Sequence, residues 1–237
     1  LLTQRPGLPP RSTAVEAVAM VTRDKVRAQE LLAAAGLHEL ADVPVPALSG
    51  GQAAHVALVR ALAALPAVLI VDEPLAAVDV KSAERWRRFL HAARADRTTL
   101  LVTHDALDIA HLAQDMLVME SGQVRAHGAT ARLFEAPPTG FVAALAGLNR
   151  LEGTVTEIGA SAVEVACSDI TVLATTEDAS FEPGQKVAVT FAPHAATIGA
   201  APEACNQWAA RVLAVEATSL AAAQLRVDLG LSLIHIS

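Results

Sequence analysis

The sequence predicts an α/β domain followed by a small all-β domain, and three observations carry that prediction. Up to about Leu148, helical periodicities alternate with short runs of aliphatic residues, the pattern of a parallel sheet covered by helices on both faces. After about Asn149 the helical pattern gives way to short β-type segments separated by Gly, Asp, Ser and Pro, as in a small barrel or sandwich. The 53% hydrophobic content does not signal a spanning helix, because its longest run, Val56 to Val80, is broken by Arg60, Pro66, Asp72, Glu73 and Pro74.

Within the first region, Lys25 to Gly36 has helical periodicity and ends on a glycine suited to a C-terminal cap. Gln52 to Leu65 predicts a second helix, stopped by Pro66. Val68 to Val71 reads as a strand buried on both faces. Ser82 to Ala95 predicts a helix and Thr98 to Thr103 another buried strand. Met116 to Met119, the turn Ser121-Gly122, and Gln123 to Arg125 predict a hairpin. In the second region the predicted strands are Glu152 to Ile158, Ala162 to Ala166, Ile170 to Ala174 and Lys186 to Phe191. A faint similarity links Asn149 to Val155 with Asn206 to Val212, as an internal repeat or as chance likeness between amphipathic strands. The last residues, 231–237, read either as a non-native tail or as an ordinary apolar strand.

A formal charge of −7 argues against nucleic acid as a partner, since phosphate backbones select basic surfaces. Cys167 and Cys205 lie far apart without a CxxC pattern, which fits small buried residues in a reducing compartment. The histidines other than His104 show no metal-ligand spacing, and Trp86 and Trp208 read as core or interface anchors.

Chemistry concentrates in three places. Leu48-Ser49-Gly50-Gly51-Gln52 stands directly before a helix. Glycines there let a backbone approach an anion, the helix start offers unpaired N–H groups, and Ser49 adds a hydroxyl; an ordinary N-cap would look the same. Val68 to Pro74 is a strand that ends in Asp72 and Glu73. In phosphoryl transfer to water, a carboxylate at such a point can hold Mg²⁺, and its neighbour can orient and deprotonate the water. Leu101-Val102-Thr103-His104 ends the next strand with a histidine able to contact a γ-phosphate or that water.

The ordered set resembles an ATP-binding cassette (ABC) ATPase, with a P-loop NTPase-like core: the signature LSGGQ at Leu48 to Gln52, the Walker B strand VLIVDEP at Val68 to Pro74, the D-loop at Ala76 to Asp79, and the switch histidine His104 in VTHD. Gln4, in QRPGLPP, is similar to the family's Q-loop. The resemblance implies ATP and Mg²⁺ as cofactors, Glu73, His104 and Gln4 in catalysis, and Asp72 and Gln4 at the metal. It further implies that Ser49, Gly50 and Gly51 act in trans, on a nucleotide sandwiched between two subunits, with Asp79 across the same interface and Gln52 among the cofactor-binding residues. Two departures stand out. No GxxxxGK[ST] phosphate loop occurs in the 237 residues, and Ala53, Ala54 and His55 follow LSGGQ where polar and basic residues are usual. With a first residue that is not Met, this leads to the expectation of an N-terminally truncated fragment, inactive by itself.

The resemblance divides the chain into an ABC ATPase domain over 1–148, with a helical subdomain at about 11–47, and a β domain over 149–237 similar to OB/TOBE and Mop-type barrels, itself truncated. It implies an importer ATPase, molybdate first, with sulfate, tungstate or another substrate as alternatives. Implied partners are a second ATPase subunit in a homodimer, transmembrane permease subunits and, indirectly, an extracytoplasmic substrate-binding protein. The implied location is peripheral, at the cytoplasmic face of the membrane. Cys205 stands where the molybdate-binding type usually has Arg. Readings from other classes are a non-transport ABC ATPase and an oxyanion-binding regulatory protein.

Overall fold

Local capping explains where the first helices start and stop in the computed structural model, which describes residues 7–76, 78–94, 97–159, 162–175, 180–196, 206–208, 211–219, 222–228 and 233–236. Helix α1 (Ala14–Thr22) begins at a capping box in which Thr13 accepts from the Glu16 amide and Glu16 accepts from the Thr13 amide. It ends at Arg23 in the left-handed conformation. Helix α2 (Lys25–Ala34) is capped by Asp24, whose carboxylate accepts from the Val26 and Arg27 amides. Gly36 follows with φ +71°, the backbone that its lack of a Cβ permits. Single 3₁₀ turns at His38–Leu40 and Val45–Ala47 lead to α3 (Gly50–Ala63).

Strand β1 (Val68–Asp72), helix α4 (Val80–Ala93), strand β2 (Thr98–Val102) and helix α5 (Ala106–Leu112) come next. β1 and β2 pair in parallel, with Val71 opposite Leu101 and Asp72 opposite Val102. The sequence prediction of strands buried on both faces is not met. Leu69 and Val71 are buried, whereas Val68, Leu100 and Val102 are about half exposed. The reason lies in the packing: Leu69 and Val71 join Val56, Val59, Leu62, Trp86 and Leu90 in one core formed with α3 and α4. Among the described residues no helix covers the opposite face. That core also takes in Val15, Val18, Ala28 and Leu32 of α1 and α2; each fully buried Val or Leu contributes roughly 1.5–3 kcal/mol.

The predicted hairpin is β3 (Asp115–Glu120) and β4 (Gln123–Ala129), turning through Ser121 and Gly122, both at positive φ. Helices α6 (Thr130–Glu135) and α7 (Gly140–Leu145) follow. By contacts the chain divides into two compact units, Leu1–Met116 and Leu117–Ser237.

In the second unit, β5 (Asn149–Ile158), β6 (Ala162–Cys167), β7 (Ile170–Thr175) and β8 (Lys186–Phe191) form an antiparallel sheet in the order β7-β6-β5-β8. Its core is Leu151, Val155, Val163, Val165, Cys167 and Val172. Gly153 is required by close approach, since a Cβ there would lie 2.6 Å from the Ala166 carbonyl oxygen. A second antiparallel sheet has the order β11-β10-β9, from β9 (Arg211–Ser219), β10 (Ala222–Asp228) and β11 (Leu233–Ile236). Within the tail, Leu233–Ile236 is thus a paired strand. Asn206, from the suggested repeat, accepts from the Leu173 amide at 2.7 Å and donates to the Leu173 carbonyl at 2.9 Å. The Trp208 indole donates to the Thr171 carbonyl at 3.0 Å. Both residues of the segment thereby engage the outer edge of β7. No helix among the described residues is long and apolar enough to cross a membrane.

Candidate functional site

The parallel register of β1 and β2 makes the site. Both strands end level, so the residues that follow Asp72 and Val102 emerge side by side. The Glu73 amide donates to the Val102 carbonyl at 2.9 Å. Glu73 then adopts φ 47°, a left-handed backbone uncommon outside glycine and concentrated at functional positions. From there its Oε1 lies 2.6 Å from Nδ1 of His104. Glu73 is only 18% exposed and His104 is 76% exposed, so the pair spans from the strand ends to solvent. The hydrogen bond that the imidazole donates to the Glu73 carboxylate, and the charge of that carboxylate, hold His104 above its ordinary pKa. A carboxylate bonded to an imidazole in this way can pass a proton between solvent and an attacking water.

Asp72 ends β1 with its side chain partly exposed, and among the described residues nothing hydrogen-bonds its carboxylate. One carboxylate at a strand end fits Mg²⁺, which takes most of its ligands from phosphate oxygens and water. No cluster of three or more His, Cys, Asp or Glu able to hold a metal by protein ligands alone occurs among the described residues.

Ser49 is the N-cap of α3, in a capping box: its hydroxyl accepts from the Gln52 amide at 3.2 Å, and Gln52 Oε1 accepts from the Ser49 amide at 2.9 Å. The capping and anion-binding readings of this motif are compatible, because a hydroxyl that accepts one bond retains its own O–H to donate. Ser49 and Gly50 are exposed, and a Cβ built on Gly50 meets nothing within 4 Å. The chain's own packing therefore does not require glycine at position 50. Asp79 caps α4 by accepting from the Ser82 amide at 3.1 Å. Gln4 lies outside the described residues. The structure thus brings Asp72, Glu73 and His104 to one end of the strand pair, while Ser49 to Gln52 and Asp79 occupy two helix starts in the same unit.

Two groupings are absent from the sequence reading. Asp105 caps α5 by accepting from the Asp108 amide at 2.8 Å. The Arg87 guanidinium of α4 reaches both carboxylates, with Nε 2.6 Å from Asp108 and Nη2 3.4 Å from Asp105. Burial raises the pKa of the Asp108 carboxyl, and the Arg87 hydrogen bond and charge oppose that shift. Asp105 followed three residues later by Asp108 was legible as a helix start, but the partner Arg87, 18 residues upstream of Asp105, was not. The second grouping is His55, stacked on Trp86 with ring centroids 4.4 Å apart. His55 occupies one of the positions after LSGGQ that depart from the resemblance, and burial, with the nearby Arg85 charge, pushes its pKa down to about 4.

The ABC transporter family model matches residues 1–76. The chain is 42% identical over 135 residues to the molybdenum import ATP-binding protein ModC of Mycobacterium tuberculosis, covering 56% of this chain and 37% of that protein. It is 41% identical over 131 residues to the sulfate/thiosulfate import ATP-binding protein CysA of Synechococcus elongatus, covering 53% and 38% respectively. The chain thus spans little more than a third of the length of these curated relatives. A solved structure with similar coordinates is the post-hydrolysis dimer of the ATP-binding cassette MJ0796 bound to ADP and Pi, at TM-score 0.50 and 29% identity, covering 54% of this chain and 61% of that one. With the strand-end carboxylates and histidine in place, the α/β part of this chain has the ABC ATPase fold, and its first 76 residues match the ABC transporter family model, with sequence similarity to import ATP-binding proteins.

Proposed function

We propose that this chain is part of the ATP-hydrolysing subunit of an importer, coupling hydrolysis to transmembrane transport. The observation that carries the reading is the Glu73–His104 contact at 2.6 Å beside the unengaged Asp72. In this reading Glu73 accepts a proton from the attacking water, while His104 orients Glu73 and meets the γ-phosphate. Asp72, with Gln4, holds Mg²⁺, which when bound neutralises charge on the phosphates. Ser49, Gly50 and Gly51 donate to the nucleotide of a second subunit, with Gln52 and Asp79 at the same interface. The open space over Gly50 supports a close approach there.

The phosphate loop that grips the nucleotide lies, in this proposal, in sequence outside these 237 residues. The domain assignment is an ATPase domain over 1–148 and an OB/TOBE-like barrel over 149–237. The partners are a second ATPase subunit, membrane permeases and, through them, a substrate-binding protein, which places the protein at the cytoplasmic face of the membrane. Molybdate is the proposed substrate, on the 42% identity to ModC. Sulfate is the second reading, since identity to CysA is 41%.

The test compares ATP hydrolysis by this chain with that of a version extended upstream through a phosphate loop. The extended protein is expected to release phosphate and the short chain is not. Equal rates would sink the division of the site. Uptake of molybdate against sulfate in cells carrying the extended protein with its permease then decides the substrate.

A further inference from the structure

We infer that Arg87 is a positioning residue, whose guanidinium ties α4, the helix begun by Asp79, to the start of α5 and so holds His104 against Glu73. This rests on the proposed function for its consequence, but the geometry stands by itself. Arg87 lies just over two turns along α4 from Asp79. Its side chain is 11% exposed, and the Asp108 side chain that it meets at 2.6 Å is 3% exposed. Taking two charges out of water is costly, and apolar residues of similar size would join two helices at least as well. Helix cohesion alone therefore does not explain an ion pair here.

A fork does explain it. The planar guanidinium reaches Asp108 through Nε and Asp105 through Nη2. Asp105 Oδ1 also accepts the Asp108 amide, so one oxygen both caps α5 and meets the arginine. Helix α5 has seven residues, too few to be stable without tertiary support, so its start depends on that anchor. His104 immediately precedes Asp105 and, among the described residues, its side chain is held only by Glu73. Fixing Asp105 sets the backbone from which His104 reaches its partner. A movement of α4 at the Asp79 end, as when two subunits separate, is thereby passed to the switch histidine.

The test uses the extended, ATP-hydrolysing protein. Arg87→Lys keeps the charge and removes the fork; it is expected to lower kcat about 10-fold with KM for ATP changed less than about twofold. Arg87→Met combined with Asp108→Leu avoids a stranded buried carboxylate; it is expected to retain its melting temperature and still lose kcat. In a His104→Ala background neither change is expected to lower the residual rate further, because both act through the same side chain. Amide exchange in Ala106–Leu112 is expected to speed up in the double variant while exchange in α3 stays unchanged. Losses that multiply with His104→Ala, full kcat in the double variant, or unchanged exchange in α5 would each overturn the inference. An inactive extended wild type would instead strike the proposed function, leaving exchange to decide whether Arg87 anchors α5.

Discussion

Glu73 Oε1 and His104 Nδ1 lie 2.6 Å apart because two parallel strands end at the same level, Asp72 opposite Val102. Replacing Glu73 with Gln removes the charge that raises the His104 pKa and the best proton acceptor at the site. In the extended protein, Glu73→Gln should bind ATP normally and lose hydrolysis by about 10²-fold or more. Phosphate release and nucleotide binding measure the two effects. The His104 titration, followed by NMR in this chain, should move downward in the variant. Since the folded pKa is raised, any stability His104 contributes is present below its unfolded value and fades as pH rises through the folded one.

His55 has the opposite sign. Its pKa falls from 6.5 to about 4, chiefly through burial, so between those values the unfolded chain binds a proton that the folded chain does not. Stability should therefore decline as pH falls through that window. Denaturant melts at a series of pH values should show a shallower acid slope for His55→Gln. An unchanged slope would remove His55 as the cause.

Gly50 offers a way to separate folding from the proposed nucleotide recognition. A Cβ at that position meets no atom within 4 Å, so Gly50→Ala should leave the melting temperature unchanged or slightly raised. ATP-dependent association of the extended protein should be lost. Ser49→Ala should behave differently, costing about 1 kcal/mol of stability through the lost cap as well as activity.

Gly153 is the stability control in the second unit. Alanine there would collide with the Ala166 carbonyl and with side chains of Val165 and Cys167. Overpacking of this kind costs typically about 1–3 kcal/mol, read as a lower unfolding midpoint for Gly153→Ala without altered exchange protection in α3.

Much of this was legible because it is local. The helix at Lys25, the helix after LSGGQ, the strand before Asp72, the hairpin through Ser121-Gly122 and the four strands of β5 to β8 all announce themselves by period, cap or turn residue. Their observed bounds differ from the expected ones by a few residues. Helix α1 lay inside the expected helical subdomain, but its Ala- and Val-rich sequence gives little periodic contrast. The burial of Val68, Leu100 and Val102 was over-read, because an aliphatic run does not say how many faces are covered. The residues proposed to face the nucleotide stood out as short motifs. Arg87 did not, because its partners come from a different helix and one arginine among Arg85, Arg87 and Arg88 has no local mark. Long-range pairing of single side chains has no period to read.

The docking of Asn206 on Leu173 has a consequence for how the β unit meets other chains. An outermost strand with free amides and carbonyls invites a foreign strand to add to it. At Leu173 both groups are already occupied by one carboxamide, and the Thr171 carbonyl is taken by an indole. These two side chains act as a seal along that border, so a neighbouring polypeptide that approaches it meets an occupied amide and carbonyl at Leu173 and an occupied carbonyl at Thr171.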